Sequence, residues 1–155
     1  MVGASYNELD CLRCDAGKFN PVAGRPREEA CLECDVGKFS HHGASSCTSC
    51  LPGTYNPVTS QASCTYCPTG TFNVNAGSSS YSDCALCPAG KYSSVVGASS
   101  CNSCAVGTYQ PKLGQTDCNL CPVGSFSNVT SSAVCLSCPD GFYSHDGASQ
   151  CTSCS

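Results

Sequence analysis

The stretch CPAGKYSSVVGASSCNSC, residues 87–104, decides how this chain folds. It runs from the second cysteine of one Cys-x-x-Cys pair to the second cysteine of the next pair. Gly90 lies three residues after the opening cysteine, Tyr92 lies two residues after that glycine, and a small or polar residue follows the aromatic. A turn then leads into the closing pair, Cys101 and Cys104. This order of residues predicts a small hairpin closed by a disulfide bond.

The same stretch recurs along the whole chain at steps of 16 to 20 residues. Cys-x-x-Cys occurs nine times, and the spacing from cysteine to glycine to aromatic holds in all eight complete units. Self-similarity at a nearly fixed step is the sequence signature of a repeat array. The array is predicted to be one continuous rod, with a partial repeat at 1–14 and tandem cysteine-rich repeats at 14–34, 34–50, 50–67, 67–87, 87–104, 104–121, 121–138 and 138–154.

The composition favours a disulfide scaffold over a compact hydrophobic domain. Cysteine accounts for 18 of the 155 residues, and the chain has no tryptophan and one methionine. Domains that cannot bury enough apolar surface are held by covalent cross-links instead. The predicted fold class is small and disulfide-rich: an elongated linear array of short β-hairpin or irregular repeats, with no helix and no shared core. We expect strands of three or four residues around each Gly-x-aromatic, paired with the return limb, and contacts mainly between neighbouring repeats.

Four repeats carry a second glycine four residues before the next cysteine pair, and Ser60 and Ser131 replace it in two others. This is where the hairpin should reverse direction, because glycine and serine are typical turn residues. The two 20-residue steps each add three residues after such a glycine, at Gly24 and at Gly77. Insertions confined to one position are those that an exposed loop would tolerate.

The sequence alone does not fix the disulfide connectivity, and two regular schemes fit the period. In the first, the second cysteine of each pair bonds the first cysteine of the next pair, which leaves Cys11 and Cys154 over. In the second, whole pairs bond in parallel, and nine pairs then leave one pair without a partner; we favour the first. Each loop of about 15 residues would contribute about 3 kcal/mol in the chain-entropy model. The bonds of the first scheme are Cys14–Cys31, Cys34–Cys47, Cys50–Cys64, Cys67–Cys84, Cys87–Cys101, Cys104–Cys118, Cys121–Cys135 and Cys138–Cys151.

The chain begins and stops within a repeat and carries no signal-peptide pattern. We therefore expect a segment of a longer array, or a protomer that its neighbour completes. Cys11 and Cys154 are candidates for an intermolecular or next-repeat disulfide, and the expected partners are copies of the chain or further repeats of it. An extracellular protein ligand is the alternative partner.

Charge and motifs exclude several classes of function. The net charge is −4, charged residues are 12% of the chain, and the seven basic residues form no run, so nucleic-acid binding is not expected. No stretch approaches the roughly 18 apolar residues of a membrane span. No catalytic constellation or cofactor motif is found, so we expect no enzyme, no cofactor and no metal. The cysteines require an oxidising compartment, which predicts an extracellular or cell-surface location.

Two other features carry chemistry. Cys-x-x-Cys pairs are also zinc half-sites, but the hairpin residues that follow each pair favour structural disulfides. His41, His42 and His145 fall at matching positions of two repeats and are interpreted as exposed turn residues rather than metal ligands. Asn128-Val129-Thr130 is a sequon for an N-glycan at Asn128, in a predicted exposed loop.

The pattern Cys-Pro-x-Gly-x-Tyr-Ser-x-x-Gly-Ala-x-x-Cys-x-x-Cys at 87–104 resembles the ephrin-receptor-like cysteine-rich repeat. It is also similar to the first submodule of tumour-necrosis-factor-receptor cysteine-rich domains, in which the Cys-Pro cysteine bonds the cysteine that closes the hairpin, as in the first scheme. This chain lacks the cysteine-richer submodules that alternate with it in those receptors. The predicted function is an extracellular structural protein: a rod, a spacer, or a filament or surface-coat subunit. A ligand-binding receptor or adhesion ectodomain is the alternative, and a zinc-binding array is the weaker one.

Overall fold

The computed structural model describes residues 13–22 and 30–155. In these ranges the protein consists of two-residue strands joined by turns, with a 3-10 turn at Tyr81–Asp83 and no α-helix. The strands in chain order are β1 (Lys18–Phe19), β2 (Leu32–Glu33), β3 (Lys38–Phe39), β4 (Thr48–Ser49), β5 (Thr54–Tyr55), β6 (Thr65–Tyr66), β7 (Thr71–Phe72), β8 (Ala85–Leu86), β9 (Lys91–Tyr92), β10 (Asn102–Ser103), β11 (Thr108–Tyr109), β12 (Asn119–Leu120), β13 (Ser125–Phe126), β14 (Leu136–Ser137), β15 (Phe142–Tyr143) and β16 (Thr152–Ser153).

The chain divides into two compact units. One contains the described residues up to Thr65 together with Ala76–Asp83, and the other contains Tyr66–Asn75 and Cys84–Ser155. Antiparallel hairpins β1–β2 and β3–β4 lie in the first unit. Hairpins β7–β8, β9–β10, β11–β12, β13–β14 and β15–β16 lie in the second.

Each hairpin starts at a tight turn that glycine makes possible. In the repeat at 87–104, Lys91 N donates to the carbonyl of Pro88 at 3.0 Å, which closes a four-residue turn. Gly90 is the third residue of this turn and has φ of 80°. A type II turn requires a positive φ at this position, which glycine adopts without a steric penalty. The conserved spacing of cysteine, glycine and aromatic within the chain is therefore the geometry of a turn entering a strand.

The strands are shorter than expected and pair differently. They contain two residues rather than three or four, and the partner of β9 is the pair of residues between Cys101 and Cys104 rather than the long return limb. The strand ends after its aromatic because the next residue, Ser93, donates its N–H to Gln115 in the following repeat at 3.1 Å. A backbone group that bonds the next repeat cannot extend the hairpin ladder.

The far end of each hairpin reverses through a residue in the left-handed conformation. Ser60 and Ser131 have φ of 60° and 59°, close to the value of 73° at Gly97 in the corresponding position. The insertion after Gly24 lies outside the described residues. The insertion after Gly77 contains the 3-10 turn at Tyr81–Asp83.

Disulfides and polar side chains occupy the interior. Among the described residues the buried apolar side chains are all cysteines, and the aromatic of each complete repeat before the last is half-buried. Within 13–22 and 30–155 no cluster of aliphatic side chains forms a shared core, because valine and leucine there lie at exposed positions of the turns and strands. The buried polar residues are Ser40, Thr54, Asn56, Thr71, Asn73, Ser78, Ser93, Gln110, Ser127 and Ser144.

Candidate functional site

The surface that recurs most regularly in both units is the junction between one repeat and the next. In six junctions the turn glycine after the opening cysteine donates its N–H to the carbonyl of the residue after the aromatic in the following repeat. At the repeat of 87–104 this bond runs from Gly90 to Gln110 at 2.7 Å. The corresponding bonds elsewhere join Gly17 to Ser40, Gly37 to Asn56, Gly70 to Ser93, Gly107 to Ser127 and Gly124 to Ser144.

A second main-chain bond pins the far end of the hairpin to the preceding repeat. The residue at the reversal donates its N–H to the carbonyl of the cysteine that opens the repeat before it. Gly114 donates to Cys87 at 2.8 Å, and Ser131 donates to Cys104 at 2.8 Å. Because these bonds use the backbone, any residue type compatible with the turn can form them.

The polar residue after the aromatic is buried in seven of the eight units, and its side chain bonds the preceding repeat at Ser40, Asn56 and Ser144. Ser40 Oγ donates to the carbonyl of Lys18 at 2.8 Å, and Asn56 Nδ2 donates to the carbonyl of Lys38 at 2.7 Å. Each bond joins a side chain of one repeat to a strand carbonyl of the repeat before it. A buried polar group has to be paired, and these residues supply the pairing.

Sequence reasoning missed the burial of this polar residue. Its signal is nevertheless present, since a polar residue follows the aromatic in all eight units: Asn20, Ser40, Asn56, Asn73, Ser93, Gln110, Ser127 and Ser144. The sequence shows that the residue is polar at this position. That it is buried can be seen only when the position of the neighbouring repeat is known.

The junctions also reach beyond the nearest neighbour. A Cβ added to Gly90 would overlap the carbonyl of Ser131, which belongs to the second repeat further on. The same overlap occurs for Gly17 with Ser60, Gly37 with Gly77, Gly70 with Gly114 and Gly107 with Gly147. The glycine is therefore needed for its small size as well as for its positive φ, and a repeat contacts two successors.

The cysteines are joined as in the first scheme. The eight bonds span Cα–Cα distances of 5.6–5.8 Å, within the range that disulfides normally occupy. Cys154 is a free, exposed thiol, and Cys11 lies outside the described residues. The bonds are Cys14–Cys31, Cys34–Cys47, Cys50–Cys64, Cys67–Cys84, Cys87–Cys101, Cys104–Cys118, Cys121–Cys135 and Cys138–Cys151.

The remaining predicted residues lie at the surface. His41, His42 and His145 are exposed, and within 13–22 and 30–155 no group of three or more His, Cys, Asp or Glu could hold a metal ion. Asn128 and Thr130 of the sequon are exposed in the loop after β13.

One open depression lies in the first unit. It has a volume of about 250 Å³ and its lining includes Glu33, Asp35 and Lys38, which are exposed. Ligand pockets usually fix orientation with a few polar groups inside an apolar cleft. The charged groups here are exposed to solvent, so the depression lacks the enclosed polar groups that would orient a ligand.

Comparison with known proteins identifies the repeats. Within the described part of the chain, no helix is long and apolar enough to cross a membrane. No curated protein matches the chain. A family model described as tyrosine-protein kinase ephrin type A/B receptor-like matches residues 37–84 and 90–133, which together make up more than half of the chain. This family is a disulfide-rich receptor repeat rather than a class of enzyme. The chain belongs to the ephrin-receptor-like cysteine-rich repeat family.

Proposed function

We propose that the chain is an extracellular structural protein, serving as a rod, a spacer, or a filament or surface-coat subunit. Tandem disulfide-rich repeats of this family indicate an extracellular or cell-surface domain. The observation that carries the structural role is the use of the backbone in the junctions. Gly90 and Gly114 bond neighbouring repeats through main-chain groups, so successive units associate in one fixed manner with little dependence on side-chain identity.

The alternative is a ligand-binding receptor or adhesion ectodomain, which the description of the matching family favours. Exposed apolar side chains such as Leu86, Leu120 and Val123 could contribute to such a surface. Exposed apolar residues alone do not mark a binding surface, however, because they are normal on protein surfaces. Disulfide bonding occupies the cysteines that the zinc-binding alternative requires.

Imaging of native material tests the structural role. An antibody to the chain should label a continuous extracellular layer or filament by immunogold electron microscopy. That layer should resist non-reducing detergent and dissolve when a thiol reductant is added. Scattered labelling that detergent alone removes would favour the receptor alternative and overturn the structural one.

The free thiol supports a covalent link within this proposal. Cys154 is exposed at the position where a further repeat would open, and we expect it to bond Cys11 of a second copy or the first cysteine of a following repeat. Non-reducing peptide mapping of native material should recover a peptide containing Cys154 joined to such a cysteine. Recovery of Cys154 alkylated without prior reduction would contradict the link.

An N-glycan at Asn128 is expected if the chain is secreted by a eukaryotic cell. The exposed loop leaves the sequon accessible to glycosyl transfer. Digestion of the secreted protein with an N-glycosidase should lower its mass by one glycan and convert Asn128 to aspartate. The variant Thr130→Ala should show no such change, because it destroys the sequon while leaving the asparagine in place.

A further inference from the structure

The hairpin β13–β14 places two apolar side chains beside the sequon. Phe126 and Leu136 lie directly opposite each other in the register of the two strands. Residues in this relation on antiparallel strands have their side chains on the same face. Leu136 is 53% exposed and Phe126 is half-buried. We call these two side chains the Phe126–Leu136 platform.

Among the hairpins of the second unit, the platform is particular to this one. The strand that carries Leu136 is exposed in all five hairpins, so packing within a repeat does not require leucine there. The repeat at 121–138 also contains no charged residue. In the other four hairpins the residue opposite the aromatic is small or polar: Ala85, Asn102, Asn119 and Thr152.

The asparagine of the sequon lies on the same side of the chain as the Phe126 ring. Ser127 separates the two residues; its side chain is 2% exposed, and its Oγ donates to the carbonyl of Val129 at 3.1 Å. Successive side chains of an extended chain point to opposite sides, so Phe126 and Asn128 both lie opposite the inward-facing Ser127. A sugar on the exposed Asn128 therefore begins on the face that carries the platform.

The exposure of these positions is a property of the repeat and not of its place in the chain. Ser94 and Asn102 occupy the positions of Asn128 and Leu136 in the repeat at 87–104. Both are exposed, although two further described repeats follow that one. Neighbouring repeats therefore leave this face of the hairpin open.

From these observations we infer that the Phe126–Leu136 platform packs against the first N-acetylglucosamine of a glycan on Asn128. One face of that pyranose ring presents only C–H groups, which lose contact with water when they lie on aromatic and aliphatic side chains. The sugar is uncharged, as is the repeat that carries it. This inference rests on the N-glycan expected with the proposed function and adds the surface that the glycan covers.

The occupant is the attached sugar rather than a free ligand because the attachment holds it beside the platform. A tethered group meets its site at an effective concentration on the order of millimolar, so a contact with two side chains is sufficient. A free ligand would lose translational and rotational freedom on binding, and a platform of two side chains is too small to compensate that loss.

Nuclear magnetic resonance of the secreted protein tests the contact directly. The protein is produced in cells that make only high-mannose glycans, and endoglycosidase H then leaves a single N-acetylglucosamine, which intact mass confirms. Overhauser contacts should join the ring protons of this sugar to the side chains of Phe126 and Leu136. The ring current of Phe126 should shift those sugar protons upfield.

A double-mutant cycle measures the effect of the contact on the hairpin. The sugar should slow amide exchange in β13 and β14 about tenfold relative to Thr130→Ala, which lacks the sequon, because an aromatic packing contact has about this effect. Leu136→Ala should lose most of that gain. This variant should fold, since alanine already occupies the matching position at Ala85, opposite Phe72.

Leu51→Ala is the matched control. Leu51 is an exposed leucine of the first unit, so its replacement removes the same side chain away from the sequon. The sugar should slow exchange in β13 and β14 as much in this variant as in the parent protein.

Absence of the Overhauser contacts when the sugar is present, or an undiminished gain in Leu136→Ala, would overturn the inference while the expected glycan stands. An Asn128 that carries no glycan would overturn both. None of these results bears on the imaging of native material, so the proposed structural function would fail or stand separately.

Discussion

The repeat at 87–104 and the repeat at 138–154 have the same hairpin but differ in what covers them. Gly90 and Gly141 have nearly identical φ, 80° and 82°. Gly90 is nevertheless buried against the carbonyl of Ser131, whereas Gly141 is exposed. Cys87 is fully buried, while Cys138 is only half-buried. The local fold is thus specified within the repeat, and the burial of its opening turn comes from the two repeats that follow.

The two repeats are alike on their other side. Ser93 and Ser144 are 1% and 4% exposed, and the carbonyl of each accepts from the turn glycine of the repeat before it, Gly70 and Gly124. The repeats of this chain therefore depend on their neighbours directionally. The preceding repeat bonds the serine, and the two following repeats bury the glycine and the cysteine. Nearest-neighbour coupling in repeat arrays predicts that a repeat is less stable without its successors.

The largest expected effect comes from removing a disulfide in each repeat. Cys87–Cys101 and Cys138–Cys151 close loops with sequence separations of 14 and 13, so loop entropy alone assigns each about 3 kcal/mol. We expect the double alanine variant at 87 and 101 to accelerate amide exchange in its own repeat and in both flanking repeats. The double variant at 138 and 151 should accelerate it in its own repeat and in the repeat at 121–138, which bonds it through Gly124, Ser127 and Cys121.

Native-state hydrogen exchange read by mass spectrometry of the two variants makes this comparison. Unchanged exchange in the repeat at 121–138 of the second variant would mean that a following repeat contributes nothing to the stability of the one before it. The remaining seven disulfides have to be verified by intact mass before exchange is compared.

The next effect in size separates two glycine substitutions. Gly90→Ala places a methyl group on the carbonyl of Ser131 in addition to the unfavourable φ, and should cost about 3 kcal/mol. Gly141→Ala meets open space and should cost about 1 kcal/mol from φ alone. Urea unfolding of the disulfide-intact proteins, at a concentration where they are monomeric, measures both. Equal losses would show that φ is the whole reason for glycine at this position.

Much of the hairpin could be predicted from the sequence, because each of its determinants is local. A turn needs glycine at a fixed distance from the cysteine, and the aromatic must follow the turn in the strand, so Gly90 and Tyr92 mark the unit by their spacing. The predicted pairing with the return limb was wrong, because Ser93 N bonds the next repeat instead of extending the hairpin. A hydrogen bond between repeats leaves no mark in the spacing of one repeat.

The junctions between repeats were harder to predict from the sequence for the same reason. The contact of Gly90 with Ser131 joins residues 41 positions apart, and nothing in either residue indicates the other. Glycine at the turn is already explained by its φ, so its second role in close packing is hidden in the sequence. The burial of the polar residue could have been suspected, since a polar residue directly follows the strand's aromatic in all eight units.

The smallest expected effect concerns the contact of a repeat with the repeat before it, where an inner repeat and the repeat at 138–154 should behave alike. Ser40 Oγ donates to Lys18 and Ser144 Oγ donates to the carbonyl of Ser125, at 2.8 and 2.7 Å. Both serines are buried, so alanine at either position should cost about 1 kcal/mol, the usual contribution of one buried hydrogen bond. Urea unfolding should give the same loss for both variants although one lies in the last repeat.

Ser127→Ala is the control, because Ser127 Oγ donates within its own loop, to Val129, and its loss should leave exchange in the preceding repeat unchanged. A much smaller loss for Ser144→Ala would show that the last repeat is loosened on its preceding side too, and that its successors stabilise the whole hairpin rather than its opening turn alone.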